Sequence, residues 1–183
     1  MRTGRYTFLD NIFVLGFVVA MSFVLIAARR ATPKAAPVAN DQEFANKAAS
    51  GGMLEVKLGE LAQSKGSNPA VKEFGARMVH DHSKADDELK SIAPHADVTL
   101  PSDMSSADQM KYDKLAKLSG NDFDKVYARD MVTDHEHDIA EFQQESSTGQ
   151  NEQIKHFAAK TLPTLKSHLE QAGEMLKSVQ SGS

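Results

Sequence analysis

"MVTDHEHDIAEF", residues 131–142, places two histidines two positions apart in a stretch that otherwise reads as a plain amphipathic helix. Each helical residue advances by about 100°, so residues two apart face nearly opposite ways. His135 falls on the stripe formed by Phe123, Tyr127, Met131, Ile139 and Phe142, whereas His137 and Glu136 point to water and Asp138 lies on the margin. An apolar stripe of this length must be buried against other helices. The stretch therefore predicts packed helices, with an imidazole on the packed face.

The flanking chain follows the same pattern. Helical periodicity runs over about 41–65, 68–93, 105–119, 121–147 and 151–177, and no period-2 run predicts a strand. Asn68 followed by Pro69 reads as a helix start, and Pro94 as its end. Ser105 or Ser106 reads as the cap of the short third helix, Gly120 as its stop and Asn121 as the cap of the fourth. Pro163 lies inside the fifth and is expected to bend it. Tight turns join the first pair of long helices and the last pair, and a long crossover carrying the short helix separates the pairs. The fold class expected is all-α, a ferritin-like four-helix bundle over 41–178 with a tail at 179–183. The halves repeat weakly: "GSNPAVKEFGA" at 66–76 matches "GQNEQIKHFAA" at 149–159 at Gly, Asn, Lys, Phe and Ala. Duplication or shared helix-start chemistry accounts for it.

Placed around its helix, each long segment puts one ionisable group on its apolar face: Glu55, His82, His135 and His168. All four lie near helix midpoints, so neighbouring helices of either direction bring them to one level. Buried without partners they would be costly. Three neutral imidazoles and a carboxylate complete a four-coordinate shell, and a transition-metal ion (Zn, Fe, Cu or Ni) is the cofactor this set predicts. The plain alternative is a hydrogen-bonded core network. Asp81 and Asp86 lie at the margins of the second helix. Asp86 shares a face with His82 and Asp138 with His135, where a ligating imidazole usually finds a carboxylate for its other N–H. Tyr127 reads as an outer hydroxyl or as core packing.

Composition excludes much else. The 183 residues contain no cysteine, which removes disulfides, thiolate sites and Cys nucleophiles. A net charge of −4, with no basic stripe, argues against nucleic acid as a partner. No G-x-S-x-G, P-loop or dinucleotide loop is present. At the N-terminus, "IFVLGFVVAMSFVLIAA", residues 12–28, is free of charge and follows a short basic segment. Residues 1–30 read as an export signal, cleaved or kept as a membrane anchor, and the Ala/Pro-rich 31–40 as a linker. The expected location is the periplasm, with a membrane tether through 12–28 if that segment is uncleaved.

"FANKAASGGMLEVKLGELA", "NPAVKEFGARMVHDH", "FDKVYARDMVTDH" and "FAAKTLPTLKSHLEQA" together resemble a bacterial ferritin-like family of exported outer-membrane or periplasmic proteins of unknown function. The resemblance implies an exported bundle and marks Glu55, Asp81, His82, Asp124, Tyr127, His135 and His168 as its polar motif residues. It implies no activity. True di-iron bundles use Glu and Glu-x-x-His sets, whereas here no E-x-x-H falls on a core face. The function expected is metal binding in a protective, sensing or storage role; the alternatives are a ferritin-like oxidoreductase and a structural or partner-binding bundle.

Overall fold

A computed structural model describes residues 41–181. The hydrophobic segment 12–28, the linker 31–40 and the last two residues of the tail lie outside the described residues. Five α-helices account for most of the described chain: α1 Asp41–Lys65, α2 Pro69–Ile92, α3 Ser106–Leu115, α4 Gly120–Thr148 and α5 Glu152–Ser181. A 3₁₀ turn, Ala93–His95, follows α2 where Pro94 prevents continuation. Among the described residues there is no strand.

The long helices lie in the ring order α1, α2, α5, α4, and every neighbour is antiparallel. Gly52 meets Asp86 while Gly59 meets Gly75; His168 meets Asp81 while Lys160 meets Glu88; Lys47 reaches Glu141 across α1 and α4. Helices α2 and α4 therefore run in the same direction, so the connection between them must travel the length of the bundle. It does so along α1 and α4, where α3 packs. Helix α3 is shorter than the sequence pattern predicts and ends at Leu115, which is fully buried. Lys65 donates to the Ala116 carbonyl, one of the acceptors a helix end leaves unpaired. Gly120 does not simply stop α3. It takes a left-handed φ of 58° and opens α4, with Ser119 rather than Asn121 at the cap position. Helix α5 is continuous through Pro163 and extends to Ser181.

Two layers, apolar but for the Tyr127 hydroxyl, fill the interior. Leu58, Phe74, Met78, Phe123, Tyr127 and Met131 belong to one; Phe44, Leu89, Phe142, Ile154 and Phe157 belong to the other. The histidines lie between them. At Gly59 an added Cβ would stand 2.5 Å from the Gly75 carbonyl oxygen, and at Gly75 one would stand 2.6 Å from the Ala62 Cβ. These two glycines let α1 and α2 approach backbone to backbone.

The two hairpins are built alike. Asn68 accepts from Ala70 N at 2.9 Å, and Asn151 accepts from Gln153 N at 2.9 Å. Asp124, in the first turns of α4, accepts from the Ser67 and Asn68 amides at 3.1 and 2.8 Å. Asp41, the first residue of α1, accepts from the Gln150 and Asn151 amides, both at 2.9 Å. Each hairpin thus pins the turn of the other with an aspartate. The reciprocity extends the sequence repeat to residues it did not cover.

Candidate metal centre

His82 on α2, His135 on α4 and His168 on α5 each project inward, and one ring nitrogen from each lies within 4.8 Å of the others. All three are buried, with His135 at 0% exposure. Phe74 closes one side, its ring 6.2 Å from His135 and 6.4 Å from His168.

The protons on these rings can be assigned from their partners. His135 Nδ1 lies 2.8 Å from the Met131 carbonyl oxygen, which only accepts, so Nδ1–H donates and Nε2 carries the lone pair. His168 Nε2 lies 2.8 Å from Asp81 Oδ2, so Nε2–H donates there and Nδ1 carries the lone pair. Those two lone-pair nitrogens face each other at 3.3 Å. A proton between them would make an imidazolium, which burial opposes. Burial, then His168, brings His135 down to about 4. Burial, with Arg77 adding to it, lowers His168 even against the pull of Asp81. Burial and the other two imidazoles hold His82 well below the ordinary histidine range. His82 Nε2 is buried with no hydrogen-bond partner.

Neutral nitrogens converging in this way fit a metal ion. Two nitrogens each 2.0–2.1 Å from a tetrahedral ion stand about 3.3–3.4 Å apart, the separation seen between His135 and His168. The outer contacts match those of metal-bound histidines as well: one imidazole donates to a carboxylate and another to a backbone carbonyl, which fixes tautomer and ring orientation. Asp81 is held in turn. Burial pushes its carboxyl up, but hydrogen bonds from His168, His80 and Arg77 outweigh this and bring it down to about 2. A crevice of about 120 Å³ between α2 and α5, bordered by His82, His168, Thr161 and Lys160, leads from the surface to two of the rings.

The other candidate residues lie elsewhere. Glu55 is buried, at 2% exposure, but is not among the groups around the imidazoles. Burial, then the charges of Asp134, Asp138 and Asp108, raise its carboxyl well above the ordinary range against the opposing pull of Lys111. Tyr127 is buried with an unpartnered hydroxyl, raised by burial and by Glu55. Asp86 sits in the space that the missing Gly52 Cβ leaves and is raised to about 7 by burial. Asp138 is raised to about 7 by burial and then by Asp134. Neither Asp86 nor Asp138 hydrogen-bonds a histidine among the described residues. Asp124 is occupied at the hairpin turn. Sequence reasoning placed Asp81 only at a margin of the second helix; it serves His168 across the α2–α5 seam. It missed Arg77 and His80, although Arg77 stands four residues before Asp81 on the same face.

An all-helical bundle with an internal cluster of three histidines is the class that fold and site define. The chain belongs to the family described as "Domain of unknown function (DUF4142)", whose model matches residues 27–175. No curated protein matches it. A crystal structure of a DUF305 protein from Streptomyces coelicolor, assigned to the secreted class, is similar in fold at a TM-score of 0.64 and 12% identity, covering 76% of this chain and 93% of that one.

Proposed function

We propose that this chain is an exported, ferritin-like bundle that binds one transition-metal ion of the Zn, Cu, Ni or Fe(II) class through His82, His135 and His168, in a protective, sensing or storage role. The observation that carries the reading is the pair of lone-pair nitrogens facing each other at 3.3 Å beside the unpartnered Nε2 of His82. A hydrogen-bonded core network would have put a proton between each such pair. Neutral imidazole suits these ions better than it suits Mg or Ca. The two hairpins joined by one long crossover have the connectivity of ferritin-like bundles. The uncharged segment at 12–28 and the assignment of the Streptomyces coelicolor neighbour to secretion support export. Asp81 orients His168 and offsets part of the ion's charge. The crevice between α2 and α5 gives the ion a way in.

Elemental analysis of the protein purified without a polyhistidine tag tests this. About one equivalent of metal per chain is expected after loading and dialysis. A chain that retains none of the four metals leaves the core-network reading in place.

A further inference from the structure

Three neutral imidazoles bring no charge to an ion and fill only three positions of a tetrahedral shell. Among the described residues, no carboxylate oxygen joins the ring nitrogens of His82, His135 and His168 within 4.8 Å. Glu55, which the sequence places at the same level, lines a separate crevice between α1 and α4, under α3. Asp81 offsets part of the ion's charge from the outer nitrogen of His168, but it shares its own charge with Arg77 and His80. A divalent ion on these rings therefore keeps one coordination position and unbalanced charge, in a buried place where unpaired charge is costly.

The crevice between α2 and α5 reaches that place. It leads in from the surface, is bordered by His82 and His168, and its volume of about 120 Å³ admits a few water molecules or an anion of similar bulk. Phe74 closes another side of the rings. Two lysines border the crevice. Lys160 is paired with Glu88, whereas the exposed Lys84 makes no ion pair among the described residues. An unpaired ammonium at the mouth draws anions inward.

We propose that the imidazole centre is an open site whose fourth ligand is a small monovalent anion, hydroxide in plain buffer, exchanged with solvent between α2 and α5. This deepens the metal reading above and rests on it. Structural sites of this kind close their shell with protein donors, whereas sites that act on a ligand leave one position to water or substrate. The carbonyl of Met131 and the carboxylate of Asp81 hold two of the rings in place while that ligand changes.

Loading the purified full-length chain with Co²⁺ tests the proposal, because the visible bands of Co²⁺ report the number and kind of its ligands. The wild type should show bands that His135→Ala loses. Azide should shift those bands saturably, and acetonitrile, a neutral molecule of the same size, should not. Thr164 borders the crevice from α5. Thr164→Trp, which fills the passage, should keep the bands and weaken the azide response by about tenfold or more. If that variant fails to fold by circular dichroism, Lys84→Glu at the exposed mouth carries the comparison, with azide weakened by about threefold or more. Co²⁺ bands that azide leaves unchanged, that acetonitrile shifts equally, or that respond to azide alike in wild type and variant overturn the open site and leave metal binding standing. A chain that shows no Co²⁺ bands at any loading fails the metal reading itself, and this inference with it.

Discussion

Replacing His135 and His137 separately tests the centre most directly, because the two residues differ little in position and entirely in surroundings. His135 is fully buried, with its ring bound to Met131 O and facing His168. His137 is 68% exposed, with Glu141 3.8 Å away. Truncating a buried side chain of this size to Ala costs about 2–5 kcal/mol. Removing His135 also relieves the 3.3 Å contact between lone pairs, so the metal-free cost should fall near the lower end, about 2 kcal/mol. For a domain of this length each kcal/mol moves Tm by about 2–4 °C, which gives a drop of about 4–8 °C. Metal at a hundred times its Kd adds about 2.7 kcal/mol to the folded state, or about 5–11 °C in the wild type. His135→Ala should lose that gain as well as the metal-free stability. His137→Ala should change metal-free stability by about 0.5 kcal/mol at most and keep the whole gain. Scanning calorimetry of all three proteins, with and without Zn²⁺, reads both quantities. Equal responses from the two variants would refute the assigned helical phase. A His135→Ala variant that is destabilised, beside a wild type whose Tm no metal moves, would refute the metal reading and leave a core network.

Asp81→Asn should lower metal affinity about 10–100-fold while leaving stoichiometry intact, as read by competition with a chromogenic chelator. The folded carboxyl of Asp81 titrates at about 2 against an ordinary 3.8, so the stability it provides is present above 3.8 and fades as pH falls toward 2; the same substitution should flatten urea-unfolding stability across that window. Gly59→Ala should cost about 1–3 kcal/mol, because its Cβ would press on the Gly75 carbonyl and force α1 from α2, whereas Gly51→Ala, facing open space, should gain about 0.5–1 kcal/mol; equal urea midpoints for the two would contradict the close approach. A chain beginning at Asp41 should fold without the N-terminal segment, with helical circular dichroism and a cooperative melt, and failure would mean that residues 12–28 belong to the folded core.

Where the helices run, and which side of each is buried, can be read from local sequence. A rotation of about 100° per residue is a local property, so His135 separates from His137, and His82 from His80, before any packing is known. The Asn cap at 68 is likewise local, since cap chemistry involves only the next few residues. Which inward groups meet depends on how the helices pack. A helix in a bundle buries an arc wide enough to face two neighbours, and position along the stripe does not say which neighbour a side chain turns toward. Glu55 lies on the buried side of α1 as its phase requires, but the charges that act on it belong to α4 and α3, across the crevice that the crossover covers. Asp81 reads locally as a neighbour of His82, yet α2 packs against α5, and its carboxylate orients the histidine on that helix. The exchange of Asp41 and Asp124 between hairpins was hidden for the same reason: each hydrogen bond spans a pair of helices far apart in the chain, and only their packing brings the partners together.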